Sequence, residues 1–181
     1  MKKNLAFTLA EVLITLTVIG VVAALTIPSV IVKTNQQEYR TGFKKAVTVL
    51  NQAITMNMAK DDESPKDMEN DGDLFDYLKR RMNVINIDTS ATNSAFYTAD
   101  GFRYEVTDNN TECAYSNPCF VMVDVNGDKG PHDVNNGITN SELSDLAQRE
   151  RVSDMFPIMI IESGAVPYGE VAQKALYKGG D

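Results

Sequence analysis

Several residue types that carry enzyme chemistry are scarce in this chain of 181 residues. Tryptophan is absent, His132 is the single histidine, and Cys113 and Cys119 are the two cysteines. One imidazole does not build a multi-histidine zinc site, and two thiols do not build a four-thiolate one. Nor does a nucleophile–base pair or a metal-ligand spacing of the hydrolase type stand out, so an enzyme is not expected. Positive charge is also short: 17 Lys and Arg face 25 Asp and Glu, a net charge of −8. Such a chain lacks the cations that neutralise phosphates, and direct nucleic-acid binding is not expected. Internal repeats and long low-complexity tracts are missing as well. What remains is ordinary. The 43% hydrophobic content is too high for a wholly disordered chain, and the length suits one domain with an extension.

Charge is missing locally, too. No charged residue occurs between Val12 and Val32. At ~1.5 Å per residue this stretch reaches about 30 Å as a helix, the thickness of a bilayer core. Lys2 and Lys3 precede it and Lys33 follows. The leading lysines hold the N-terminus in the cytoplasm, so the chain after Val32 is expected outside it. Val22-Ala23-Ala24 offers a small-residue site of the secretory-signal kind. Cleavage near Ala24 would release a secreted binding protein or enzyme, but the apolar stretch is longer than a typical signal. Glu11 stands near the start of the stretch. A carboxylate there is costly, which points to a function and a partner.

The segment Lys2-Lys3 … Ala6-Phe7-Thr8-Leu9-Ala10-Glu11-Val12-Leu13-Ile14 resembles the N-terminal signature of type IV prepilins and type II secretion pseudopilins. The resemblance covers roughly the first 35 residues. It implies that a basic leader, residues 1–6, is removed between Ala6 and Phe7, and that the new amine of Phe7 is methylated. Ala6 stands where most members have Gly. Pro28 falls where the family commonly places a proline in the apolar helix. The implied partners are a prepilin peptidase/methylase, other pilin or pseudopilin subunits and a membrane assembly platform. The implied location is the bacterial cytoplasmic membrane, then a pilus or pseudopilus. Cleavage before Phe7 leaves the apolar segment in place and creates a cation. In an apolar filament core the Glu11 carboxylate needs that cation, supplied by a neighbouring subunit, or it would cost several kcal/mol or take up a proton. The pair then sets the stagger between subunits. The competing reading is a membrane-anchored or secreted monomer whose globular part binds a ligand.

Beyond the membrane segment, Tyr39, Phe43, Ala46, Val47, Leu50, Ile54 and Met58 recur at steps of three and four. That spacing predicts one apolar face of a helix. The pattern stops near Asp61-Asp62-Glu63-Ser64-Pro65, a poor helical continuation. The expected organisation is a transmembrane and assembly helix over 7–32, its amphipathic half over 33–60, and a globular domain over 61–181. Phe7 to about Lys60 is read as one helix of ~80 Å, kinked or loosened at Pro28. Leu74 to Met82 reads as a short helix capped by Asp71-Gly72-Asp73. Phe96–Thr98 and Phe102–Val106 read as strands around an Asp100-Gly101 turn. Cys119–Val125 reads as a central strand, and Met155–Glu162 as a strand whose Pro157 favours an edge. A short helix opened by Ser141 is expected over Asn140–Arg149. Gly169 to Tyr177 fits helix or strand. The fold class is α+β, a long helix packed on a small antiparallel sheet, which is also what the resemblance implies.

Two local groups carry further chemistry. Asp124, Asn126 and Asp128 alternate as in the opening of a calcium loop, and Asp133 is placed to add an oxygen. The full EF-hand pattern fails, because Lys129 sits where glycine is needed and Asn135 where the bidentate Glu belongs. The loop is more similar to Asp/Asn-Gly-Asp loops of pseudopilins, several of which bind calcium, so calcium is the expected cofactor. Otherwise Asn126-Gly127 is simply a turn. Cys113 and Cys119 enclose Asn117-Pro118, a turn signal, and in an exported domain they are expected to form a structural disulfide rather than a redox pair.

Overall fold

The computed structural model describes residues 7–68, 73–88, 94–107, 111–129 (of Asp128 the backbone alone), 148 and 153–177. It divides into two compact units, 1–37 and 38–181. Helix α1, Leu9–Asp61, begins in the first and ends in the second.

In the first unit the large apolar side chains from Phe7 to Val32 are exposed. This helix is long and apolar enough to cross a membrane. Its hydroxyls are compatible with a solvent that offers no hydrogen bonds. Thr15, Thr17, Thr26, Ser29 and Thr34 each donate to a backbone carbonyl three or four residues earlier. In hydrocarbon each polar group must be satisfied internally, and this back-bonding does it. The helix continues through Pro28, whose missing N–H leaves the Ala24 carbonyl without its usual donor.

In the second unit α1 buries Phe43, Ala46, Val47, Leu50, Ala53, Ile54 and Asn57. The expected stripe is therefore the core face, except that Met58 is exposed and Asn57 is buried instead. Asp62, with φ of 56°, takes the left-handed conformation that ends helices. The other elements are α2 (Leu74–Lys79), β1 (Val84–Asp88), β2 (Ser94–Thr98), β3 (Arg103–Val106), β4 (Cys119–Asp124), β5 (Met155–Ile161), β6 (Gly164–Pro167) and α3 (Glu170–Tyr177). Asp73 caps α2 by accepting from the Asp76 amide at 2.9 Å. Among the described residues the strands form one antiparallel sheet in chain order, β1 to β6.

Side chains alternate between the two faces of a sheet. Phe96, Tyr104, Val121, Val123, Phe156 and Ile158 join the core that includes Phe43, Leu50 and Ile54 of α1. Phe43 stacks on Phe156 with ring centroids 4.3 Å apart. The other face carries Ala95, Arg103, Glu105, Met122, Asp124 and Met155, also buried. The Arg103 guanidinium is neutralised there by Glu105 at 2.6 Å and Asp88 at 3.2 Å.

The α+β class holds, with corrections. The Met155–Glu162 strand is internal, between β4 and β6, not at an edge. Pro157 is tolerated because the β6 register begins at Ile158, so it lies at the end of that ladder. Its carbonyl still accepts from the Tyr168 amide at 3.0 Å. Strands β1 and β6 are additions. Helix α2 stops at Lys79, three residues short of Met82. Gly169 to Tyr177 resolves into α3. The helix expected over Asn140–Arg149 lies outside the described residues except for Gln148.

Candidate functional site

At the start of α1, Phe7 is 88% exposed. Thr8 is the helix cap. Its amide and its hydroxyl both donate to Glu11 Oε2 at 2.8 Å. In return the Glu11 amide donates to Thr8 Oγ1 at 3.3 Å. This is a capping box, Thr at the cap and Glu at the third helical position, and it satisfies otherwise orphaned amides. Phe7, Glu11, Val12 and Thr15 border one recess of this unit. The two residues expected to act in processing and assembly are thus brought together on one side of the helix start. Ala6 lies outside the described residues. Pro28 lies within α1, about five turns further on.

The loop after β4 gathers part of the expected oxygen set. Asp124 Oδ1 accepts from the Asn126 amide at 3.0 Å. The Asn126 side-chain amide donates to Asp154 Oδ2 at 3.2 Å. Asp154 joins through the backbone as well, its carbonyl accepting from the Val125 amide at 3.0 Å. Asp124 is 1% exposed and Asp154 fully buried. Burial, reinforced by the Asp154 charge, pushes the Asp124 carboxyl up to about 7 against the amides of Asn126 and Gly127 and the charge of Arg103. Tyr39 of α1 faces the same group, bonded to the Asn126 side chain, and burial with the Asp154 charge raises its pKa. Asp124 Oδ2 is buried without a hydrogen-bond partner, which is the state of a carboxylate oxygen that a cation would satisfy. The Asp128 side chain and Asp133 lie outside the described residues. Among the described residues no group of three or more His, Cys, Asp or Glu gathers as a metal cage. Calcium at Asp124 would therefore draw further oxygens from backbone carbonyls or water.

Cys113 and Cys119 form the expected disulfide, with Cα atoms 5.1 Å apart. The enclosed turn is closed by reciprocal backbone bonds between Ala114 and Asn117, each 3.1 Å, and presents Tyr115 to solvent.

Two of these participants escape a reading of the sequence. Thr8 was open to discovery, since Thr-x-x-Glu ahead of an apolar run is the capping-box spacing. Asp154 carries no such signal. It lies 28 positions beyond Asn126, and only the antiparallel return of β5 brings it back.

Residues 1–27 match the family model of the prokaryotic N-terminal methylation motif. No curated protein and no solved structure matches the chain. The methylation motif is the prepilin-type signature. It supports a prepilin-like pilin or pseudopilin subunit, a structural protein rather than an enzyme, anchored through its apolar helix, processed by a peptidase and assembled with other pilin subunits.

Proposed function

We propose that this protein is a structural subunit of a type IV pilus or a type II secretion-like pseudopilus. It is cut between Ala6 and Phe7, methylated on the Phe7 amine, and assembled through residues 7–32 with Glu11 paired to the amine of a neighbouring subunit. The observation that carries this reading is the methylation motif over residues 1–27. The apolar helix behind it, with its hydroxyls bonded to its own backbone, supports membrane residence before assembly. The modest globular unit and the Asp-Asn-Gly loop favour a pseudopilin-like or minor subunit. The disulfide favours an oxidising space outside the cytoplasm for that unit.

The test is the intact mass and N-terminal sequence of the membrane-extracted protein from its native host. A methylated Phe7 at the N-terminus is expected. A start near Ala24, with the protein soluble outside the cell, would overturn the proposal in favour of a secreted binding protein.

A further inference from the structure

We infer that the cationic side of α1 at the start of the globular unit, carried by Arg40 and Lys44, is the surface on which the acidic globular unit of a second copy docks, head to tail.

Charge is divided unevenly along the chain. Residues 33–60 hold five Lys and Arg (Lys33, Arg40, Lys44, Lys45 and Lys60) and one acid, Glu38, a net charge of +4. Residues 61–181 hold 10 Lys and Arg against 23 Asp and Glu, a net charge of −13. Copies packed side by side bring such acidic surfaces within the ~8 Å over which charges act at physiological salt. Docking then calls for a cation between them. Lys45 is taken up within its own copy, bound to Asp100 at 3.0 Å and set over the Phe102 ring. Arg40 and Lys44 are not: among the described residues neither is in an ion pair. They stand four residues apart, so they lie on one side of the helix, while Phe43, Val47 and Leu50 turn to the core. Lys44 is exposed, and Arg40 is partly buried with its Nε lacking a hydrogen-bond partner. A cation on one copy meeting acid on the next uses two different surfaces. Repeated, such a contact extends into an open assembly where its rotation does not close. A two-fold contact centred on this face would instead set cation against cation. The inference thus rests on the filament reading and names a face that it needs. Anionic lipid headgroups are the rival ligand. They would hold Lys33, which borders the apolar run, rather than Arg40 and Lys44, eight and twelve residues beyond Val32.

A carbodiimide joins an amine to a touching carboxylate with loss of water, so it marks this contact in membranes of the native host. Dimers on a denaturing gel report links between copies rather than within one. Their digestion should show Lys44 joined to an Asp or Glu of residues 61–181. The yield should fall at least about fivefold when ~1 M salt, which shortens the screening length to about 3 Å, is added before coupling. Lys44→Arg keeps the charge and removes the amine, so it should lose that link and still assemble. Arg40→Glu combined with Lys44→Glu should cut assembled material at least about tenfold by setting acid against acid. If this double variant does not fold, the wild-type link at Lys44 still decides. Three results would each overturn the inference: no dimers linked through Lys44, a Lys44 link indifferent to salt, or a folded double variant that assembles as wild type. A Lys44 amine linked to no copy, and shielded from acylation in phosphatidylglycerol nanodiscs but not in phosphatidylcholine ones, would give the face to lipid instead. A chain that starts at Phe7 and lacks the links would sink this inference alone. One that starts near Ala24 would sink the filament reading, whatever the links show.

Discussion

The side chain of Asn51 holds both backbone groups of Ala165. Its Oδ1 accepts from the Ala165 amide and its Nδ2 donates to the Ala165 carbonyl, each at 3.0 Å. Ala165 lies in β6, the last strand of the sheet. A side-chain amide on α1 therefore pairs with an edge strand as another strand would. That occupies part of an edge otherwise open to foreign chains. Asn51→Ala leaves the Ala165 amide and carbonyl without these partners, and should destabilise the globular unit by about 1 to 3 kcal/mol. Asn51→Asp keeps the acceptor for the Ala165 amide but turns a carboxylate oxygen toward the carbonyls of Val47 and Ala165, so it should cost at least as much as Asn51→Ala. Gly164, with φ of 140°, leaves the room: a Cβ there would stand 2.5 Å from Asn51 Oδ1. Gly164→Ala should accordingly match or exceed Asn51→Ala. Urea denaturation of the three variants checks the order.

Glu11 is bonded in the single chain before any neighbour is present. Removing the Thr8 hydroxyl by Thr8→Val should cost about 1 kcal/mol of helix stability at its first turn. Thr8→Ser retains the cap and should behave as wild type. Amide hydrogen exchange at Leu9–Val12 in nanodiscs reads the first effect directly. In the proposed assembly, Glu11→Gln keeps most of the cap but loses the charge needed by the neighbour's amine. Cross-linked oligomers should therefore drop sharply for Glu11→Gln and only modestly for Thr8→Val. Equal losses in both would show that helix order, not charge pairing, governs assembly.

The Cys113–Cys119 bridge closes a short loop already shaped by the Ala114–Asn117 turn. On the chain-entropy estimate, a loop of this size contributes about 2 to 3 kcal/mol. Replacing both cysteines by serine should lower the unfolding midpoint accordingly, while Phe7 processing stays unchanged. The comparison of wild type with and without reductant provides the same number without a substitution.

How legible these features were depends on how local their causes are. The apolar run from Val12 to Val32 and the Phe7–Glu11 spacing needed only neighbouring residues, and both could be read. The stripe from Phe43 to Ile54 followed from helical period alone. Strand β1 escaped because Val84–Asp88 exposes Ile85 and Ile87, so its pattern does not announce a buried face. Pro157 misled because proline in a strand implies an edge, whereas one end of one ladder is all it needs. Asp154 and the Asn51–Ala165 pair rest on contacts across 28 and 114 positions. Such pairings follow from strand order, which no local period encodes.

Acid should loosen the end of α1 before the core yields. Asp61, the last residue of the helix, accepts from Arg80 at 2.8 Å and also from Arg81. The bonds from Arg81, then Arg80, hold its carboxyl below the ordinary carboxylate range. A group whose pKa is lowered on folding stabilises the native state above its unfolded pKa, about 3.9 for Asp, and loses that contribution as pH falls through the folded value. Stability attributable to Asp61 is thus complete at neutral pH and vanishes in strong acid. Asp61→Asn should therefore be less stable than wild type at pH 7 and converge on it near pH 2. Because the cluster is partly exposed, with 26% and 22% for the Arg80 and Arg81 side chains, high salt should narrow the gap at pH 7. Thermal unfolding of both proteins across pH 2 to 7, at low and high salt, decides it: a gap that persists at pH 2 would assign the effect to packing and not to charge.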